Sequence, residues 1–183
     1  MSFESLGLSA PVLQAVTEKG YTQPTPIQEK AIPIVLMGRD VLGCAQTGTG
    51  KTASFVLPMI DILAGSRGKM RMPRSLILEP TRELAAQVAE NFDMYGKYNK
   101  LSMALLIGGV SMDEQSKQLE RGADILIAIQ SDREWRVLAE KVLGDKALAA
   151  MLAIRFGFVI LGIQYFVPPI WFRRISRLFL CFA

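Results

Sequence analysis

Cys44-Ala45-Gln46-Thr47-Gly48-Thr49-Gly50-Lys51-Thr52 is the stretch on which the fold turns. The apolar run Val41-Leu42-Gly43 before it reads as a strand, and Lys51 to Leu63 after it reads as a helix. Strand, glycine turn, helix is the setting in which such a loop cradles phosphate. Glycines at 48 and 50 let the backbone turn tightly, with no Cβ between its amides and a ligand. Those N–H groups and the positive end of the helix converge on one point, where an anion binds. Lys51 supplies a mobile charge for outer phosphates, and the Thr52 hydroxyl is placed for Mg²⁺. The common form of the loop opens with glycine, whereas this chain has Ala45 there. A glycine-rich turn that binds nothing is the plainer alternative, and a Gly-x-Gly-Lys-Thr between strand and helix argues against it.

Composition narrows the field. A chain of 183 residues holds one domain or slightly more. Cys44 and Cys181 give no disulfide framework and fit a reducing compartment, so a cytoplasmic location is expected. With no histidine, histidine bases and histidine metal sites are excluded. Met1-Ser2-Phe3-Glu4-Ser5 lacks the basic and apolar segments of a signal peptide. The net charge of +4 looks like a polyanion signal until it is mapped. The 21 Lys+Arg and 17 Asp+Glu divide as 13 and 13 through Ile129, then 8 and 4 beyond. The phosphate-loop portion is therefore neutral, and its charge says nothing about nucleic acid.

Two regions differ in character. Through Ile129 the pattern alternates. Ser9 is expected to cap a helix to about Lys19, and Thr25 another with Pro26 at its first position. After the loop and its helix, 65–73 reads as a basic connection and Ser75-Leu76-Ile77-Leu78 as a buried strand. Thr81 to Tyr95 reads as a helix, Met103 to Ile107 as a strand, and Ser111 with Glu114 as a capping box opening a helix to Arg121. Ala123 to Ile129 closes the series as a strand. Strands alternating with helices imply a parallel sheet covered on both faces, with ligands at the carboxyl ends of its strands. From Gln130 the rhythm breaks. Ser131 and Glu134 suit a helix ending at Gly144, Ala147 to Val167 is apolar on all sides, and Pro168-Pro169 stops it before Trp171-Phe172-Arg173-Arg174.

Four motifs, in order, resemble the amino-terminal part of a DEAD-box RNA helicase, with a leaning toward its bacterial members. Gly20-Tyr21-Thr22-Gln23-Pro24-Thr25-Pro26-Ile27-Gln28, with Phe3 upstream, matches the family's Q motif. The phosphate loop matches too, since an alanine opening is the family's own variant. Pro80-Thr81-Arg82-Glu83-Leu84 through Gln87 matches motif Ia, and Gly108-Gly109 the paired-glycine motif. The resemblance covers Met1 to about Ala128. It implies an α/β fold, a RecA-like P-loop parallel sheet flanked by helices. It also implies roles. Gln28 would read adenine by a two-point hydrogen bond, with Tyr21 and Phe3 packed around the base. Ala45, Gln46, Thr47, Gly48, Thr49, Gly50, Lys51 and Thr52 would hold ATP, Lys51 and Thr52 acting in catalysis and Thr52 carrying Mg²⁺. Pro80, Thr81, Arg82, Gly108 and Gly109 would touch the RNA backbone without reading sequence. Each has a plainer reading: Gln28 as a polar helix position, Tyr21 and Phe3 as packing, Arg82 as a solvated helix start, Gly108-Gly109 as a strand end.

The pattern then fails. Where the family continues Thr-Pro-Gly-Arg, the chain reads Ile129-Gln130-Ser131-Asp132-Arg133, and neither Asp-Glu-Ala-Asp nor Ser-Ala-Thr occurs. The expectation is a partial ATP-binding domain over 1–129 and a divergent, apolar and basic tail over 130–183. Such a chain would hold ATP and hydrolyse it poorly, its sheet incomplete with an exposed edge. Three readings of the tail compete: a disrupted gene product, a membrane anchor over Ala147 to Val167, or helices packed on the open sheet. The first is preferred, and a helical tail is expected in the fold. The functional alternatives to a helicase fragment are a non-catalytic ATP- or RNA-binding module and a membrane-tethered remnant. No stable protein partner is implied.

Overall fold

The computed structural model describes residues 2–39, 41–65, 73–107, 112–129, 163–167 and 178–182. A 3₁₀ turn, Phe3–Leu6, leads into α1 (Ala10–Glu18) and α2 (Pro26–Leu36). Then follow β1 (Val41–Ala45), α3 (Lys51–Gly65), β2 (Ser75–Glu79) and α4 (Arg82–Tyr95). β3 (Met103–Leu106), α5 (Met112–Glu120) and β4 (Ile125–Ile129) complete the alternation, and β5 (Ile163–Val167) and β6 (Leu178–Phe182) come from the tail. The expected connection over 66–72, the Ser111 cap, Gly108-Gly109, the helix from Ser131 and the Trp171 cluster lie outside the described residues.

The strands form one sheet in the order β1-β6-β5-β2-β4-β3. β1 and β6, β2 and β4, and β3 and β4 pair parallel, while β5 runs antiparallel to both its neighbours. The carboxyl ends of β1, β2, β3 and β4 consequently lie along one edge. Alternate residues serve opposite faces. Ile77, Ile125, Ile127 and Ile129 join Phe55, Ile60, Val88 and Phe92 in the larger core under α1 to α4. Leu76, Leu126 and Ala128 join Leu106 and Leu119 in a smaller core under α5. Each such side chain stabilises the fold by about 1.5–3 kcal/mol when fully buried. With both faces covered, the strands read as continuous apolar runs.

The tail departs from expectation. The described parts of 130–183 are strands, not helices, and 163–167 is a strand where an apolar helix was expected. They enter between β1 and β2, where Leu76, Ile77 and Leu78 pair with Val167, Phe166 and Tyr165. The reason is physical: β1 and β2 need backbone partners that a helix cannot supply. Ile163-Gln164-Tyr165-Phe166-Val167 and Leu178-Phe179-Leu180-Cys181-Phe182 are rich in the aromatic and β-branched residues that suit a pleated surface. Among the described residues no helix is long and apolar enough to cross a membrane.

The start of α1 is also held differently from expectation. Ser9 stands at the N-cap but its side chain makes no capping bond. Instead its N–H donates to Asp61 Oδ2 of α3 at 2.8 Å, and its hydroxyl donates to Asp61 Oδ1. A carboxylate 52 residues away thus supplies the negative charge that a helix N-terminus favours. Asp61→Ala is expected to cost about 1 kcal/mol, the size of a lost cap, and Asp61→Asn less, because it keeps an acceptor. Urea denaturation of the two variants measures the difference; equal losses would show that the charge carries the whole effect, and no loss in either would show that the carboxylate contributes nothing. At the other end of α1, Glu18 accepts from Lys97 and Tyr98, tying the helix to the turn after α4.

Candidate functional site

The loop after β1 adopts the geometry its glycines allow. Gly48 and Gly50 have φ of 79° and 80°, the left-handed region that other residues rarely enter. Thr49 closes the turn by donating from its hydroxyl to the Gln46 carbonyl at 2.7 Å. α3 begins at Lys51, and Ser54 N donates to the Gly50 carbonyl oxygen at 3.2 Å. Lys51 is 3% exposed and its Nζ donates to the Ala45 carbonyl, so the ammonium is folded over the loop that it serves.

Gln28 ties a second element to this loop. Its Oε1 accepts from Thr25 N at 3.0 Å, which satisfies an orphan donor at the start of α2. Its Nε2 donates to the Gly50 carbonyl oxygen at 3.1 Å. The side chain is 6% exposed, and two bonds to fixed backbone groups set which end of the amide is oxygen and which nitrogen. An amide has two donor hydrogens and two acceptor lone pairs. One of each is used internally, and one of each is left for a ligand.

A cleft of about 590 Å³ opens here, within the usual size for a small-molecule site. Phe3, Tyr21, Gln28, Thr47, Gly48, Gly50, Lys51 and Thr52 line it, as the sequence suggests. Of these, Phe3 is packed into the core, whereas Tyr21 stays 51% exposed as a platform at the rim. Leu84, Gln87, Asn91 and Tyr95 of α4 also line the cleft, a role the sequence did not assign to any of them. Burial, and then the hydroxyl of Tyr21 beside it, push the Tyr95 phenol well above its ordinary range, so it stays a neutral donor. A helical spacing of Leu84, Asn91 and Tyr95 was visible, but nothing in it said which cavity that face lines. Ala45, Gln46 and Thr49 belong to the loop backbone and do not line the cleft.

Pro80, Thr81 and Arg82 sit at the carboxyl end of β2, on the same sheet edge as the loop. Thr81 caps α4 by accepting from Leu84 N at 3.3 Å, and Thr81 and Arg82 are exposed. A hydrogen bond from the Glu83 backbone, and then one from the Thr81 side chain, hold the Glu83 carboxyl below its usual range. Among the described residues no cluster of acidic and cysteine side chains could hold a metal ion by itself.

The parts fit a nucleoside triphosphate: a left-handed double-glycine turn, a buried lysine, a hydroxyl at the helix start, and a base-sized cleft with one oriented amide. Comparison with known proteins agrees. The model of the DEAD/DEAH box helicase family matches residues 25–144. Over 126 residues the chain is 48% identical to the ATP-dependent RNA helicase DDX54 of Mus musculus, covering 69% of this chain and 14% of that protein. Over 155 residues it is 44% identical to the ATP-dependent RNA helicase DBP10 of Yarrowia lipolytica, covering 85% and 16%. The chain thus spans a small fraction of the length of these curated relatives. A crystal structure of a DEAD box protein from Methanococcus jannaschii superposes with a TM-score of 0.61 at 36% identity, over 70% of this chain and 34% of that one. The RNA helicase Prp28 from Chaetomium thermophilum, bound to ADP, superposes with a TM-score of 0.73 at 28% identity, over all of this chain and 45% of that one. These relatives are eukaryotic and archaeal, and they lend no support to the leaning toward bacterial members. By its family match, its relatives and its loop geometry alike, this chain belongs to the DEAD/DEAH box helicase family.

Proposed function

We propose that this chain is the nucleotide-gripping part of an ATP-dependent RNA helicase, and that it binds ATP with Mg²⁺ in the cleft between the loop, α2 and α4. The observation that carries this is the Gln28 amide, oriented by Thr25 N and the Gly50 carbonyl. Its remaining donor and acceptor match the N7 acceptor and N6 donor of adenine. Guanine offers acceptors at both places, so the Gln28 carbonyl would face a second carbonyl. Tyr21 would lie against the base. The loop amides and Lys51 would hold the phosphates, Lys51 leaving the Ala45 carbonyl to do so. Mg²⁺, bound through Thr52, would neutralise charge on the outer phosphates.

RNA would lie along the same sheet edge, against Pro80, Thr81 and Arg82, with Gly108 and Gly109 following β3 in sequence. These groups reach phosphate and sugar and not base edges, so binding would be indifferent to sequence. Hydrolysis is expected to be slow, because the 183 residues contain no Asp-Glu-Ala-Asp to hold the metal and place the attacking water. Fluorescence titration with labelled ATP and GTP in the presence of magnesium tests the reading. ATP is expected to bind at least roughly tenfold more tightly, the share of one good two-point contact, and Gln28→Ala is expected to erase the preference. Equal binding of both nucleotides, or none by folded chain, overturns it. ATP turnover stimulated by RNA would overturn the slow-hydrolysis part alone.

A further inference from the structure

A half-exposed ring on a turn is free to rotate unless something holds it, and Tyr21 is such a ring. Its backbone is fixed. Gly20 follows the end of α1 at φ 76°, its N–H donates to the Thr17 carbonyl at 2.9 Å, and Tyr21 N donates to the Val16 carbonyl at 3.3 Å. That paired closure of a helix end sets where the Tyr21 Cα lies. The side chain beyond it still has three staggered wells at χ1, and a base can stack only where the ring turns its face to the cleft. At the far end of the ring stands Tyr95. It is buried, belongs to the larger core with Phe3 and Val16, and closes α4, where Gly96 N donates to the Phe92 carbonyl at 2.8 Å. Its own ring therefore has little freedom. Its hydroxyl is hydrogen-bonded to the Tyr21 side chain, and burial, the facing Tyr21 and this bond together raise the phenol above its ordinary range. A bond that raises a phenol favours its protonated form, so Tyr95 donates and Tyr21 accepts. Both residues line the cleft.

We propose that Tyr95 is a positioning residue for the base: its buried hydroxyl holds the exposed Tyr21 ring in the orientation on which a purine stacks. The inference rests on the proposed nucleotide site and adds to it a second hold on the base, separate from the Gln28 amide. Gln28 reads a base edge, through hydrogen bonds that differ between adenine and guanine. A stacking face accepts any base, because every base has a π-face. Tyr95 therefore sets how tightly a base is held, and Gln28 sets which base. The gain comes from order present before binding: a ring already turned to the cleft need not be immobilised when the nucleotide arrives.

Tyr95→Phe in the full chain removes only the hydroxyl, and the Tyr21 oxygen it leaves behind can turn to water. ATP and GTP are expected to bind roughly three- to tenfold more weakly, the share of one hydrogen bond, with their ratio unchanged. Inorganic triphosphate, which has no base, should compete for the phosphate loop as well as it does in the wild type. Tyr21→Phe breaks the same bond from the exposed side and should lose as much as Tyr95→Phe, and the double change no more than either. In a Tyr21→Ala background, Tyr95→Phe should make no difference. Fluorescence titration with labelled ATP and GTP, competition by inorganic triphosphate, and circular dichroism to show that each variant is folded measure all of these. If Tyr95→Phe fails to fold, Tyr21→Phe decides alone. Unchanged nucleotide binding in the folded variant, an equal loss of inorganic triphosphate, or a Tyr95→Phe effect that persists without the Tyr21 ring would each overturn this inference alone. A folded wild-type chain that binds neither nucleotide would overturn the proposed function and this inference with it.

Discussion

Asp124→Ala is expected to lower stability by about 3 kcal/mol or more, the loss seen when one partner of a buried ion pair is removed. Asp124 stands just before β4, and its carboxylate is shared among three strand starts. Oδ1 accepts from Arg74 Nε at 2.9 Å and lies 2.7 Å from Nη2, a two-pronged contact. Oδ2 accepts from Ser102 N at 2.9 Å and from Ser102 Oγ at 3.0 Å. Arg74 in turn donates from Nη1 to the Leu63 carbonyl near the end of α3, at 2.8 Å. One carboxylate therefore joins the strands β2, β3 and β4 to the helix that starts at the phosphate loop. The side chains are only 10% and 19% exposed, so water cannot replace what alanine removes. In a domain of this size the loss corresponds to roughly 6–12 °C in Tm. Asp124→Asn, which still accepts from Ser102, should lose less. The double change Arg74→Met with Asp124→Leu should recover much of the loss, because an apolar pair carries no desolvation penalty. A thermal and urea series over these variants checks the ordering. A loss under about 1 kcal/mol for Asp124→Ala would mean that the pair behaves as an exposed one.

This cluster marks where sequence reading stops. The strand–loop–helix at 41–63 was legible because its signal is local: two glycines, a lysine and a threonine between apolar runs. The strands β2 and β4 were legible for the same reason, and their ends moved by only one or two residues. The two-faced burial of Ile77 and Leu76 followed from the same continuous runs. Nothing local linked Arg74 to Asp124, or Ser9 to Asp61, since those contacts depend on which strands become neighbours. The cap of α1 was placed at the right residue, but its side chain makes no capping bond and its tie to Asp61 was not legible for that reason. Gln28 was singled out through its motif, and it does line the cleft, but its bond to Gly50 was not legible, because 22 residues separate them. Tyr95 was placed on a helix with no hint that it faces Tyr21. In the tail, the long apolar run ending at Val167 hid the five-residue strand β5, and β6 lay beyond it: continuous apolar character has no period, so helix and strand look alike until a sheet needs partners.

Gly50→Ala is expected to weaken ATP binding by about 10²-fold and to abolish the preference for adenine over guanine. Two penalties coincide at this residue. Its φ of 80° places any side chain in the left-handed region, at about 1–2 kcal/mol. An added Cβ would also collide with Gln28 Nε2 and come within 3.4 Å of Thr25 Oγ1. Gln28 must then swing away, losing its bond to the Gly50 carbonyl, about 0.5–1.5 kcal/mol. The two together correspond to the expected fall in affinity, since each 1.4 kcal/mol is about tenfold. The loss of preference follows from the same movement, because an amide no longer held at both ends can flip and suit either base. Gly48→Ala separates the two effects. Its φ of 79° imposes the same backbone strain, but an added Cβ there meets nothing within 4 Å. That variant should bind ATP more weakly, since the methyl group occupies the mouth of the phosphate cup, yet keep its ratio of ATP to GTP affinity. Titration of both variants with both nucleotides, alongside circular dichroism to show that each is folded, measures the ratio directly. A preserved ratio in Gly50→Ala would show that Gln28 reads the base without help from the loop, and would remove the link between base choice and phosphate grip on which the proposed function depends.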